Sequence, residues 1–73
     1  MSDTQELKEA LIKRDIDTVI AITGLSYEEA ADKCEEAENI QDSIMGCIRA
    51  SQDSTYFQEK LSTLVNDLLS RSR

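Results

Sequence analysis

Cys34 and Cys47 are the only two thiols of this 73-residue sequence, and no histidine accompanies them. A nucleophilic cysteine needs a base that holds it as thiolate. Without one, a cysteine on the apolar face of a helix behaves as a small hydrophobe, which is how Cys34 reads and Cys47 after it. The pair shows neither a Cys-x-x-Cys spacing nor the cysteine density of a disulfide scaffold, and no histidine could complete a zinc site. General acid or base work near neutral pH would fall to a carboxylate or lysine of strongly shifted pKa. Such a shift requires a cavity that so small a core can hardly enclose. The acids fall on a predicted helix rather than in a glycine-containing calcium loop. The expectation is therefore no enzyme, no catalytic residue, no metal and no cofactor.

What remains is charge. Fifteen acidic against eight basic residues give a net charge of −7. Residues 1–14 sum to zero and residues 43–73 to +1, whereas residues 15–42 hold nine acids and one base. Glu28, Asp32, Glu35 and Glu36, with Glu38 and Asp42 beyond, form a connected outer surface if Ala30, Ala31, Cys34 and Ala37 face inward. Like charges three or four residues apart cost a helix a few tenths of a kcal/mol per pair, on the order of 0.2–0.5. Two readings stay open, a solvated face that keeps the chain soluble and a docking surface for a basic partner. Either way, the expectation is a ridge that points at solvent and is not neutralised by the chain's own lysines and arginines. A surface of this sign repels nucleic acid phosphates and anionic membranes, so neither is expected as a direct partner.

The elements that must position these residues are helical. The chain has no proline and two glycines, and strong helix formers dominate it. A first helix is expected from about Asp3 to Lys13. Asp15 is the expected N-cap for a second, built on Ile16, Val19, Ile20 and Ile22 and closed by Gly24 in the left-handed conformation, with Leu25 as hydrophobic follower. Ser26-Tyr27-Glu28-Glu29 has the form of a capping box opening a third helix. Asn39-Ile40 repeats the stop logic of Gly24-Leu25, which predicts a break there and a further helix over Gln41 to Ser51. After Gln52-Asp53-Ser54, a last helix is expected from Thr55 to Ser70. Thr55 and Gln58 form a second capping-box pattern, Phe57, Leu61, Leu64, Val65, Leu68 and Leu69 make one apolar stripe, and Arg71 and Arg73 complement the C-terminal dipole.

Within this frame, the stretch from Ile16 to Ile48 resembles the ubiquitin-associated (UBA) family of three-helix domains, a fold shared with the N-terminal module of elongation factor Ts. The residues that carry the resemblance are Thr23-Gly24-Leu25-Ser26 at the first turn, Ala30 and Cys34 in the second helix, and Asn39-Ile40-Gln41-Asp42-Ser43-Ile44 opening the third. The resemblance covers less than half of the chain. Leu25 stands where an aromatic often helps contact ubiquitin. Val19 to Ala37 also mimics a helix-turn-helix, but its second helix would present six acids with only Lys33 in opposition, the wrong sign for phosphate.

The sequence thus predicts a single all-α domain over residues 1–73. It is a compact bundle of four to five short helices with a UBA-like core at 15–51 and flanking helices at 1–14 and 53–73. The expected function is a small acidic protein-interaction module, an adaptor or regulator. It would bind a larger protein with a basic or mixed basic and apolar surface through Gly24, Leu25, Glu28, Asp32, Glu35 and Glu36. One alternative is a phage-type inhibitor that imitates nucleic acid charge. Another is a structural subunit that forms a homodimer through the last helix, with Leu61, Leu64, Leu68 and Leu69 as anchors. Met1-Ser2-Asp3-Thr4 lacks a basic segment and an apolar run, and no apolar stretch approaches a membrane span of ~20 residues. A cytoplasmic, reducing setting is expected.

Overall fold

Capping chemistry divides the chain into four helices. The computed structural model describes residues 2–71 and places α1 at Ser2–Lys13, α2 at Ile16–Thr23, α3 at Tyr27–Ser51 and α4 at Ser54–Arg71. Arg73 lies outside the described residues. No strand occurs among those described, and each helix packs on the other three.

Each joint is closed by a different device. Arg14 takes a left-handed backbone (φ 59°) after α1. There its N–H donates to Leu11 O (3.3 Å) while the Asp15 N–H donates to Ala10 O (2.8 Å). This is the paired-bond helix ending in which glycine is the usual left-handed residue. Asp15 caps α2 as expected, its carboxylate accepting from Thr18 N (3.3 Å) and Thr18 Oγ1 (2.7 Å). Gly24 closes α2 at φ 75°, its N–H donating to Ile20 O at 2.8 Å. The Ser26 hydroxyl accepts from Glu29 N (3.3 Å), so one half of the expected capping box forms.

The expected break at Asn39-Ile40 is absent. α3 runs uninterrupted for 25 residues, about 37 Å at 1.5 Å per residue, and matches the 37 Å long dimension of the molecule. The reason lies in phase. Ala30, Cys34, Ala37 and Ile44 are all buried and recur at three-, four- and seven-residue steps, so one unbroken helix keeps them on a single stripe. Asparagine tolerates the left-handed conformation without requiring it. Its helical penalty of at most about 0.7 kcal/mol is small beside the burial of Ile44, on the order of 1.5–3 kcal/mol. The third helix of the resemblance is therefore a continuation of the second, and α3 is far from short.

α3 ends at Gln52, which caps it in the left-handed region (φ 57°). α4 then starts one residue earlier than expected, and its cap is Asp53, whose Oδ1 accepts the Thr55 N–H at 3.1 Å. Thr55 lies inside the helix, and its expected partner Gln58 instead accepts from Lys8 Nζ of α1 at 3.4 Å.

The core gathers Leu7, Ala10 and Leu11 of α1, Val19 of α2, Ala30, Cys34 and Ala37 of α3, and Leu61, Leu64, Val65 and Leu68 of α4. The leucine stripe of α4 thus serves the chain's own interior. Gly46 lies in the exposed second half of α3, where an added Cβ would meet nothing within 4 Å. Gly46→Ala is expected to stabilise the protein by about 0.8–1 kcal/mol, by restricting the unfolded chain and removing the helix penalty of glycine. Thermal melting followed by circular dichroism checks this, and an unchanged or lowered midpoint would contradict it.

Candidate functional site

Because α3 is one uninterrupted helix capped by Ser26, every acid between Glu28 and Asp42 is held in fixed angular relation. Glu28, Asp32, Glu35 and Asp42 recur along one outward stripe at spacings of four, three and seven, with Glu29 and Glu36 beside it. All six are exposed. The stripe extends about 21 Å at the helical rise. Gly24 and Leu25 stand just ahead of it. Gly24 is exposed, and its backbone closes α2, whereas Leu25 is half-buried against the core and anchors the joint.

The ridge is partly compensated from within, contrary to expectation. Arg14 donates to Glu38 Oε2 at 2.9 Å and lies 3.8 Å from Glu35 Oε1, and Lys33 Nζ lies 3.2 Å from Glu36 Oε2. Arg14 reaches α3 because the left-handed turn after α1 aims its side chain there, a geometry the sequence did not announce. Lys33 reaches Glu36 from one helical turn away. No internal cation pairs with Glu28, Glu29, Asp32 or Asp42 among the described residues. The compensated pairs are half-exposed at several ends, and such pairs contribute only about 0.2–1 kcal/mol each. A cationic partner can therefore displace them at small cost. The ridge divides into an uncompensated N-terminal part at Glu28, Glu29 and Asp32, a bridged middle, and Asp42 beyond.

The thiols occupy two environments. Cys34 is fully buried; burial pushes its pKa up, outweighing the lowering effect of Arg14, and Asp15 adds to the rise. Its proton is held and its sulfur shielded. Cys47 is exposed, and both thiols are free. Among the described residues no group of three His, Cys, Asp or Glu side chains is placed to hold a metal ion, and no helix is long and apolar enough to cross a membrane.

A second feature went unseen in the sequence. Between α3 and α4 lie two adjoining hollows of about 310 and 320 Å³. One is lined by Lys33, Glu36, Ile40, Lys60, Thr63, Leu64 and Asp67. Ile40 and Lys60 also line the other, with Ser43, Ile44, Cys47 and Tyr56. All these residues belong to α3 or α4, so α1 and α2 cover one face of the hairpin and leave this one open. The four-residue spacings Ile40 to Ile44 and Tyr56 to Lys60 were the available signals, each placing a pair on one helix face.

Comparison with protein-family models, with curated proteins and with solved structures gives no match for this chain.

Proposed function

We propose that this chain is a small protein-interaction module, an adaptor or regulator, that binds a larger protein through the acidic ridge of α3. The observation that carries this reading is the uncompensated cluster Glu28, Glu29 and Asp32 at the capped end of α3, within the segment 15–42 that holds nine acids and one base while residues 1–14 and 43–73 together sum to +1. Carboxylates near a helix N-terminus are favourably placed by the dipole, so the cluster is held there at little cost. The partner surface is basic, or basic with apolar elements that meet Tyr27, which stands beside the cluster at 63% exposure. Electrostatic complementarity of this kind sets encounter rate and specificity.

The reading names no catalytic step and no cofactor. It also names no ubiquitin contact: the turn that the UBA resemblance implies at Asn39-Ile40 is absent from the uninterrupted α3. Free thiols at Cys34 and Cys47 fit a reducing, cytoplasmic setting. Imitation of nucleic acid charge is the less favoured alternative, because Arg14 and Lys33 interrupt the run of negative charge at Glu35, Glu36 and Glu38.

Affinity capture from the native host at low and high salt tests the proposal, with the Glu28→Gln/Asp32→Gln double variant beside the unaltered chain. A partner retained at low salt should bind the variant about tenfold more weakly, a loss near 1.4 kcal/mol, and be released as salt screens the contact. Equal retention by both forms at all salt concentrations would refute the ridge as docking surface.

A further inference from the structure

The open face of the α3–α4 hairpin has an apolar floor and a charge unlike the rest of the molecule. Leu64 and Ile44 are buried at its base, Ile40 is half-buried, and Tyr56 is 47% exposed at one end. Four charged side chains line it. Lys33 is paired with Glu36 (3.2 Å), and Asp67 with Arg71 (3.7 Å). Lys60 has no carboxylate within 4 Å among the described residues. Its ammonium lies 5.5 Å from the Tyr56 ring centre, at the junction of the two hollows. In a chain of net charge −7, the uncompensated charge of this trough is therefore positive.

We propose that the trough is a second docking site, for an amphipathic helix of a partner protein that lays apolar side chains over Ile40, Ile44 and Leu64 and sets one carboxylate against Lys60. Apolar grooves between two helices are read by helices whose anchors recur at three and four residues. The trough extends from Lys33 to Cys47, about 21 Å along α3, the length of a helix of roughly four turns. Charge selects the occupant. A second copy docked trough to trough would set Lys60 against Lys60, and each copy brings the same net negative charge. A partner helix with a single acid beside its apolar stripe meets no such penalty. Glu36 borders both surfaces, but Glu28 and Asp32, which the ridge experiment alters, do not line the trough.

The probe is a fluorescein-labelled helical peptide of about four turns, with leucines at i, i+3, i+4 and i+7 and one glutamate flanking them, titrated into the full chain by anisotropy. A second peptide carries lysine in place of the glutamate. The glutamate peptide should bind the unaltered chain, lose about tenfold or more in affinity against Lys60→Glu, and be outcompeted there by the lysine peptide. Arg49→Glu, which changes net charge equally but lies outside the trough, should leave binding unaltered. Amide chemical shifts should move along residues 40–47 and 56–64. Three results would each overturn the proposal: no binding by the glutamate peptide, affinity indifferent to Lys60→Glu, or shift changes confined to other faces. A dimer in sedimentation that Lys60→Glu disrupts would assign the trough to a second copy instead. Failure here leaves the Glu28/Asp32 experiment unaffected, and the reverse also holds.

Discussion

Replacing Asn39 by proline is expected to destabilise the protein by about 3 kcal/mol or more. Asn39 is exposed, so its side chain contributes little packing and the whole effect comes from the backbone. Proline removes the amide that donates four residues back along α3, and its ring collides with the carbonyl there. A chain of this size draws only a few kcal/mol of net stability from its core, roughly 3–5, so the loss would unfold much of the population. If a turn occupied this position, as the sequence alone suggested, proline near the joint would be tolerated. Urea denaturation of Asn39→Pro beside Asn39→Ala separates the two. Alanine should be neutral or slightly stabilising, because it is the better helix former.

Leu61→Ala carries the second large effect, a loss of about 2–5 kcal/mol from removed apolar contact and the cavity left behind. Leu61 is fully buried, in the cluster to which all four helices contribute. The expected change is a lowered denaturation midpoint with an unaltered molecular mass in sedimentation. A variant that kept its stability but lost a dimeric form would mean that the leucines of α4 form a seam between copies. Leu64 and Leu68 are buried in the same cluster, and Leu69 packs against it, so the stripe is already occupied by the chain itself.

These two residues also show what could be read from the sequence. The apolar stripe of α4 was legible because helical period alone fixes a face. The caps at Asp15, Gly24 and Ser26 were legible because their side chains or backbone freedom act within one turn. At Asn39 the local and the global terms disagree. The asparagine weakly permits a stop, but the stripe from Ala30 through Cys34 and Ala37 to Ile44 favours continuing, and burial prevails over propensity. Thr55 failed differently, since Asp53 is also a good cap and stands nearer the joint.

For the candidate sites, the outward direction of Glu28, Asp32, Glu35 and Glu36 followed from spacing alone. Their partial neutralisation did not, because it depends on Arg14 adopting a left-handed backbone in a position where glycine would be the usual choice. The trough was hidden for a related reason. Ile40 and Lys60 are twenty residues apart, and only the antiparallel return of α4 along α3 brings them to one surface.

One unbroken helix aligns the acids from Glu28 to Asp42 on a solvent-facing ridge. Carbon-13 backbone chemical shifts, assigned residue by residue in solution, test it most directly. Helical shifts should persist without interruption from Tyr27 to Ser51. A return to coil values around Asn39 to Gln41 would contradict the account, because the acids on either side of the break would then face in different directions.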